Sequence, residues 1–176
     1  MTDTIDYEIV RSIDGVEVRR YPGIVLATVK GLPDDSAFSL LFNYISGYNA
    51  PSRKIPMTTP VISQEKGEKM AMTAPVISEQ DTFSFVLPAS YNADNAPDPL
   101  DPKVRIVGVP ERLVAAVQFS GRAYAREVRD RQRELLEVLR RNNIPARGAP
   151  FLMRYNSPLT PGFLRRNEVG VEVDLD

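Results

Sequence analysis

The chain contains no cysteine and no histidine among its 176 residues. Without cysteine there is no disulfide, no thiolate metal site, no thioether-linked prosthetic group and no cysteine nucleophile. Without histidine the commonest general base and the commonest metal ligand are both missing. An excess of one charge sign is missing too. Lys and Arg number 22 against 23 Asp and Glu, a net charge of −1, so no general electrostatic footprint for nucleic acid is expected. No apolar run reaches transmembrane length, and Met1-Thr2-Asp3-Thr4-Ile5-Asp6 lacks the basic start and apolar stretch of a secretory signal. The expectation is a cytoplasmic protein with no membrane span. A glycine-rich phosphate loop and a spaced metal-ligand cluster are also absent from the sequence.

What is present is an ordinary globular balance, 43% hydrophobic and 26% charged, long enough for one domain over residues 1–176 with a real core. Two segments are nearly identical. Ile55-Pro56-Met57-Thr58-Thr59-Pro60-Val61-Ile62-Ser63 is followed by Met70-Ala71-Met72-Thr73-Ala74-Pro75-Val76-Ile77-Ser78, and the copies share Met-Thr-x-Pro-Val-Ile-Ser. The polar, glycine-containing link Gln64–Lys69 suits a hairpin loop, so residues 53–63 and 69–78 are expected to be strands. Pro60 and Pro75 cannot donate to a ladder and belong at an edge, a bulge or a strand end. Alternation puts Ile55, Met57 and Thr59 on one face, and Met70, Met72 and Ala74 on the matching face.

Further strands are expected at Val16–Val18, Ile24–Val29, Phe83–Pro88, Lys103–Val109, Leu113–Phe119, Phe151–Tyr155 and Glu168–Val173. Pro33-Asp34-Asp35 starts a helix that Gly47 stops. No charge occurs from Ser36 through Ser52, which makes helix 36–46 too apolar for one-sided packing. A second helix spans about Gly121 to Arg141, with Ala125, Val128, Gln132, Leu135, Leu136 and Leu139 facing inward. Its outer face offers Arg126–Asp130, Glu127–Arg131, Arg133–Glu137 and Glu137–Arg141 pairs at i,i+4. The order predicts an α+β fold: two βαββ-like halves forming a curved antiparallel sheet or distorted β-barrel that carries two helices.

Several segments, taken in order and spacing, resemble the SOUL/heme-binding-protein family. They are Tyr7-Glu8-Ile9-Val10, Val16-Glu17-Val18-Arg19-Arg20-Tyr21-Pro22, Phe42–Asn49, both copies of the doubled motif, Phe85-Val86-Leu87-Pro88, Pro99-Leu100-Asp101-Pro102, Phe119-Ser120-Gly121 and Arg165-Arg166-Asn167-Glu168-Val169. The resemblance implies a distorted barrel flanked by two helices, binding heme or a related tetrapyrrole non-covalently in a hydrophobic groove. Some family members are proposed to hold heme through a histidine. With none here, the expected mode is apolar contact plus basic residues near the propionates, without a histidine axial ligand. Leu159 and Gly170 stand where the family usually has tryptophan.

Residues Phe38, Leu41, Phe42 and Ile45 of the uncharged helix are candidates for one groove wall. They are equally readable as buried between the sheet and the C-terminal segment. Phe163 and Leu164 are candidates for the opposite wall, with Arg165 or Arg166 pairing with propionates. A structural network of these arginines with Glu168 is the alternative. Met57, Met70, Met72 and Met153 are expected as core filler rather than iron ligands, and Tyr44 and Tyr48 as buried rings with satisfied hydroxyls. Arg53 and Lys54 read as solvated strand ends, and Asp34/Asp35 and Glu65/Glu68 as solvated acids. Thr58 and Thr73 lack a basic partner and are expected to satisfy backbone groups beside the prolines. The function expected is a heme or porphyrin carrier or buffer. The alternatives are a general module for flat hydrophobic molecules and, ranked last, a hydrolase or heme-dependent enzyme on the same fold. An enzyme would show a buried glutamate at the groove mouth. Oligomeric state is left open.

Overall fold

Two periodicities build the structure. A period of two puts Val16 and Val18 on one side of a strand and Glu17, Arg19 and Tyr21 on the other. A helical period gathers Ala37, Leu41, Tyr44 and Ile45 on one buried stripe. A computed structural model describes residues 3–50, 67–157 and 159–175. In chain order the elements are β1 (Asp3–Thr4), β2 (Glu8–Ile13), β3 (Val16–Tyr21), β4 (Ile24–Lys30), α1 (Asp34–Ile45), β5 (Asn49–Ala50), β6 (Thr73–Glu79) and β7 (Thr82–Val86). Then follow β8 (Asp98–Pro99), β9 (Arg105–Val109), β10 (Arg112–Ser120), α2 (Ala125–Arg141), β11 (Ala146–Arg154), a short 3-10 turn (Gly162–Leu164) and β12 (Arg166–Val173).

The large strands form one curled antiparallel half-barrel in the order β2-β3-β10-β12-β11-β6-β7-β4-β9, and β1 adds in parallel beside the start of β6. Strands β5 and β8 form a separate small ladder. The expected halves are present. The triplet β4-β7-β6 in one half is repeated as β10-β12-β11 in the other, each with its helix inserted after the first strand. The strand preceding each unit crosses over: β3 pairs with β10, and β9 pairs with β4. Helix α1 packs on β4 and β7, and α2 on β10, β11 and β12. Each helix covers its own apolar cluster. A third cluster on the opposite face joins both halves through Tyr21, Leu26, Ile77, Val86, Val114 and Phe151.

Some local expectations differ from what is found. The second helix starts at Ala125 rather than Gly121, because Gly121 and Ala123 both take positive φ (118° and 57°) and turn the chain first. Val138 joins Leu135 and Leu139 in its buried stripe, while Leu136 and Ala125 lie exposed. Its surface ion pairs are Arg131–Glu134 and Arg140–Glu137 at i,i+3, where the guanidinium reaches the nearer carboxylate. Helix α1 does pack on one side only and leaves Phe42 49% exposed. Strand β6 starts at Thr73, so Met70–Met72 is not strand, and the register shift between Thr73 and Val76 places Pro75 at a bulge. The expected strand 53–63, with Met57, Thr58, Pro60 and the whole first motif copy, lies outside the described residues, as do Arg53 and Lys54. Edge strand β2 had no sequence expectation; Ile9 and Val10 on it are exposed, so it carries no inward alternation.

Candidate functional site

Spacing of four and three residues lines up Phe38, Phe42 and Ile45 along one flank of α1. The Phe38 and Phe42 rings stack at 6.0 Å with 11° between planes, and Phe38 meets Phe85 edge-on at 5.2 Å. What lies opposite is set by Asn49. Its buried amide nitrogen donates to the carbonyls of Tyr44 (2.7 Å) and Glu68 (2.8 Å), and its oxygen accepts from the Glu68 N–H (2.8 Å). The Met70 N–H then donates to the Ile45 carbonyl at 2.7 Å. Residues 68–70 are thus pinned to the end of α1, which carries Met72 alongside the phenylalanines.

Two depressions result, and both are bordered by Met72. One, of about 210 Å³, lies among Phe38, Met72, Val76, Phe83 and Arg154. The other, of about 350 Å³, lies among Phe42, Ile45, Lys69, Met70 and Met72. Joined at Met72, they are taken together as an apolar groove, with Arg154 lining one part and Lys69 the other. Arg154 also reaches Asp34 at 3.4 Å, a half-exposed contact that leaves further N–H donors free in direction.

The sequence candidates divide between this groove and other places. Phe38, Phe42 and Ile45 border it, whereas Leu41 is fully buried in the helix–sheet core beneath. Residues Tyr155–Ser157 of the β11–β12 connection also line it. Phe163 and Leu164, further along that connection, are not among its lining residues; they are 78% and 61% exposed, and the turn carrying them touches β10. Arg165 donates to the Thr160 carbonyl at 2.7 Å. Tyr44 is buried and donates to the Pro97 carbonyl at 2.7 Å; burial, then nearby Tyr91 and acidic groups, raise its pKa and keep it a phenol. Tyr48 is exposed, and Met153 sits in the cluster opposite the helices. Thr73 does not cap the backbone as expected: its hydroxyl has no hydrogen-bond partner among the described residues.

The sheet face away from the helices holds a buried polar constellation that sequence reasoning met only as an arginine–glutamate network. Glu168 and Arg19 are both essentially without solvent exposure. One Glu168 oxygen accepts from Arg19 Nη1 (2.7 Å) and the Tyr155 hydroxyl (2.5 Å); the other accepts from Arg19 Nη2 and Arg166 Nη2. Arg19 also donates to Glu17 and the Tyr21 hydroxyl, and its guanidinium lies 4.2 Å from the Tyr7 ring centre. Burial alone would raise the Glu168 pKa, but hydrogen bonds from Arg19 and Tyr155 and the nearby arginine charges lower it below the usual carboxylate range. Burial likewise opposes the Arg19 charge, and its bond to Glu168 overrides that. The carboxylate is therefore ionised with all its lone pairs engaged, which leaves none aimed at a water. Arg166 belongs to this face, through Glu168 and the Tyr7 hydroxyl.

Gly170 lies on the same face. A Cβ there would meet the Met153 methyl at 2.9 Å and the Phe151 ring at 3.0 Å. Those side chains fill the volume that a larger residue needs, so the glycine is matched to its packing. The signal for this layer was present in the alternation of Val16-Glu17-Val18-Arg19 and Glu168-Val169-Gly170-Val171. Polar residues there take the non-helix face of central strands. What hid it was that only the sheet order brings Arg19 and Glu168 to strands flanking the same neighbour.

A family model described as SOUL heme-binding protein matches residues 2–172. The chain belongs to the SOUL heme-binding protein family. Membership accounts for the curled sheet with two helices and for the heme association of the family's description. No curated protein matches by sequence. Among solved structures, this SOUL chain is similar to a hydrolase from Listeria innocua at 12% identity and TM-score 0.52, with 94% of each chain covered. It is also similar to the EcmrR C-terminal domain at 11% identity and TM-score 0.52, covering 96% of this chain and 98% of that one. A third similarity is to EcmrR in its DNA complex, at 12% identity and TM-score 0.56, covering 90% of this chain and 57% of that one. At such identities the likeness speaks for the fold. Among the described residues no cluster of three or more acidic side chains is arranged to hold a metal, and no helix is long and apolar enough to cross a membrane.

Proposed function

We propose that this SOUL protein binds heme or a related tetrapyrrole against the α1 groove, without a histidine–iron bond, and acts as a carrier or buffer. The observation that carries the reading is the Phe38–Phe42 stack, with Phe42 half-exposed on a helix that buries Ala37, Leu41, Tyr44 and Ile45. A flat macrocycle extends that stack, with Ile45 and Met72 beside it and Leu41 fixing the helix from beneath. The residues fit the group's chemistry: aromatic and thioether surface for the ring, and Lys69 and Arg154 for two carboxylates. Arg166 is already committed to Glu168 and Tyr7, so it contributes to the framework rather than to propionate capture. Phe163, Leu164 and Arg165 add exposed apolar surface and a cation on the connection whose start lines the groove.

The test is an absorbance titration of purified protein with heme and with iron-free protoporphyrin. Affinities within about threefold of each other are expected, since ring contact rather than a metal bond supplies the energy. Tight heme binding with no porphyrin binding refutes this form and requires an iron ligand. The same exposed phenylalanine pair favours a second reading, a module for flat aromatic molecules in general. Thermal stabilisation by diverse aromatics and by neither tetrapyrrole would favour it.

A further inference from the structure

The described copy of the doubled motif lies between two cavities. Ala74, the second residue of β6, borders the α1 groove, so alternation along the strand turns Thr73 to the other side. There it borders a cavity of about 610 Å³ at the ends of β4 and β7, closed on one side by residues 4–6 of the N-terminal segment. Thr73 is 5% exposed and its Oγ1 has no partner among the described residues, an unusual state for a buried hydroxyl. We propose that this cavity is a second ligand site, which takes an organic ammonium with an apolar body.

The lining chemistry selects that class. Ile24, Val25, Val86 and Leu87 supply apolar wall. Asp6 is the one charged side chain among the described lining residues, and none of those residues is a cation. Tyr91 adds a ring, and its hydroxyl donates to Glu68 at 3.0 Å, so the charge behind it is negative as well. An ammonium N–H donates to Thr73 Oγ1 and to the Asp6 carboxylate, and the Tyr91 face attracts the cation. A carboxylate ligand meets no cationic donor among the described lining residues. The cavity shares no described lining residue with the tetrapyrrole groove.

The experiment is a titration of the full chain, followed by amide chemical shifts and calorimetry, with phenylbutylammonium, phenylbutanol and phenylvalerate. Saturable binding of the amine is expected, with shifts concentrated at Ile24, Thr73, Val86 and Leu87. It should bind roughly tenfold or more above the carboxylate, since the only charge among the described lining residues is negative. Thr73→Val removes the orphan hydroxyl without changing side-chain shape, so the variant folds normally and loses about 2–10-fold in amine affinity. Asp6→Asn loses about 2–5-fold, the scale of an exposed charge pair. Porphyrin titration stays unchanged in both variants. No saturable amine binding, meaning a cavity that holds water alone, overturns the proposal. Equal binding of amine and carboxylate, or amine affinity indifferent to both substitutions, overturns it as well.

Discussion

Replacing Glu168 with glutamine tests the buried ion pair directly. The variant keeps the shape of the side chain but removes the charge that Arg19 of β3 faces across β10. Arg19 is almost fully buried, and its remaining acidic partner, Glu17, is one-third exposed at 2.7 Å. Breaking one side of a buried pair costs about 3–5 kcal/mol, and the residual Glu17 contact argues for the lower end, about 3 kcal/mol. In a chain of this size that corresponds to a melting decrease of roughly 6–12 °C. Urea unfolding of wild type, Glu168→Gln, Arg19→Met and the double variant forms a cycle, and the coupling expected is about 2–3 kcal/mol. The pH dependence has a fixed sign. The folded-state pKa of Glu168 lies below its ordinary value, so its stabilisation is complete above the unfolded value, about 4.3, and drains as pH falls through the folded one. Glu168→Gln lacks that acid limb. A single-variant cost under about 1 kcal/mol, or additive effects in the cycle, refutes the reasoning.

Phe42→Ala removes a half-exposed ring, so stability should change by less than about 1 kcal/mol while porphyrin affinity falls roughly 5–10-fold, the worth of one aromatic stack; fluorescence quenching by porphyrin reads it. Asn49→Ala deletes three hydrogen bonds that pin residues 68–70 to α1, at a cost of about 2–4 kcal/mol in urea unfolding, and porphyrin affinity should weaken with it. Tyr44→Phe leaves the buried Pro97 carbonyl without its donor and should cost about 1–2 kcal/mol by the same measurement. Leu135→Ala, on the buried face of α2 in an apolar cluster that contains no groove-lining residue, should cost about 2–5 kcal/mol yet leave porphyrin affinity per folded molecule unchanged.

The α+β class, the two helices and most of the strands were legible because each rests on a local period. Val16, Val18, Ala115, Val117, Val169 and Val171 alternate, and the α1 and α2 stripes repeat at helical spacing. The missing histidine already ruled out one way of holding heme iron. Where local pattern was weak or contradicted by turns, the reading moved: β2 is an exposed edge, and positive φ at Gly121 and Ala123 delays α2.

Tertiary structure alone decided the rest. Sequence order does not say that β3 leaves its own half to pair with β10, yet that crossing is what sets Arg19 against Glu168 from 149 residues away. Nor does it say that Arg166 is spent on that network while Arg154 and Lys69 stand at the α1 groove. The doubled motif announced the family from sequence. Its described copy acquired a physical role only in the sheet, where successive side chains of β6, Thr73 and Ala74, face different cavities. Periodicity is a property of neighbours along the chain, whereas a site is a meeting of residues whose separation only the sheet order closes.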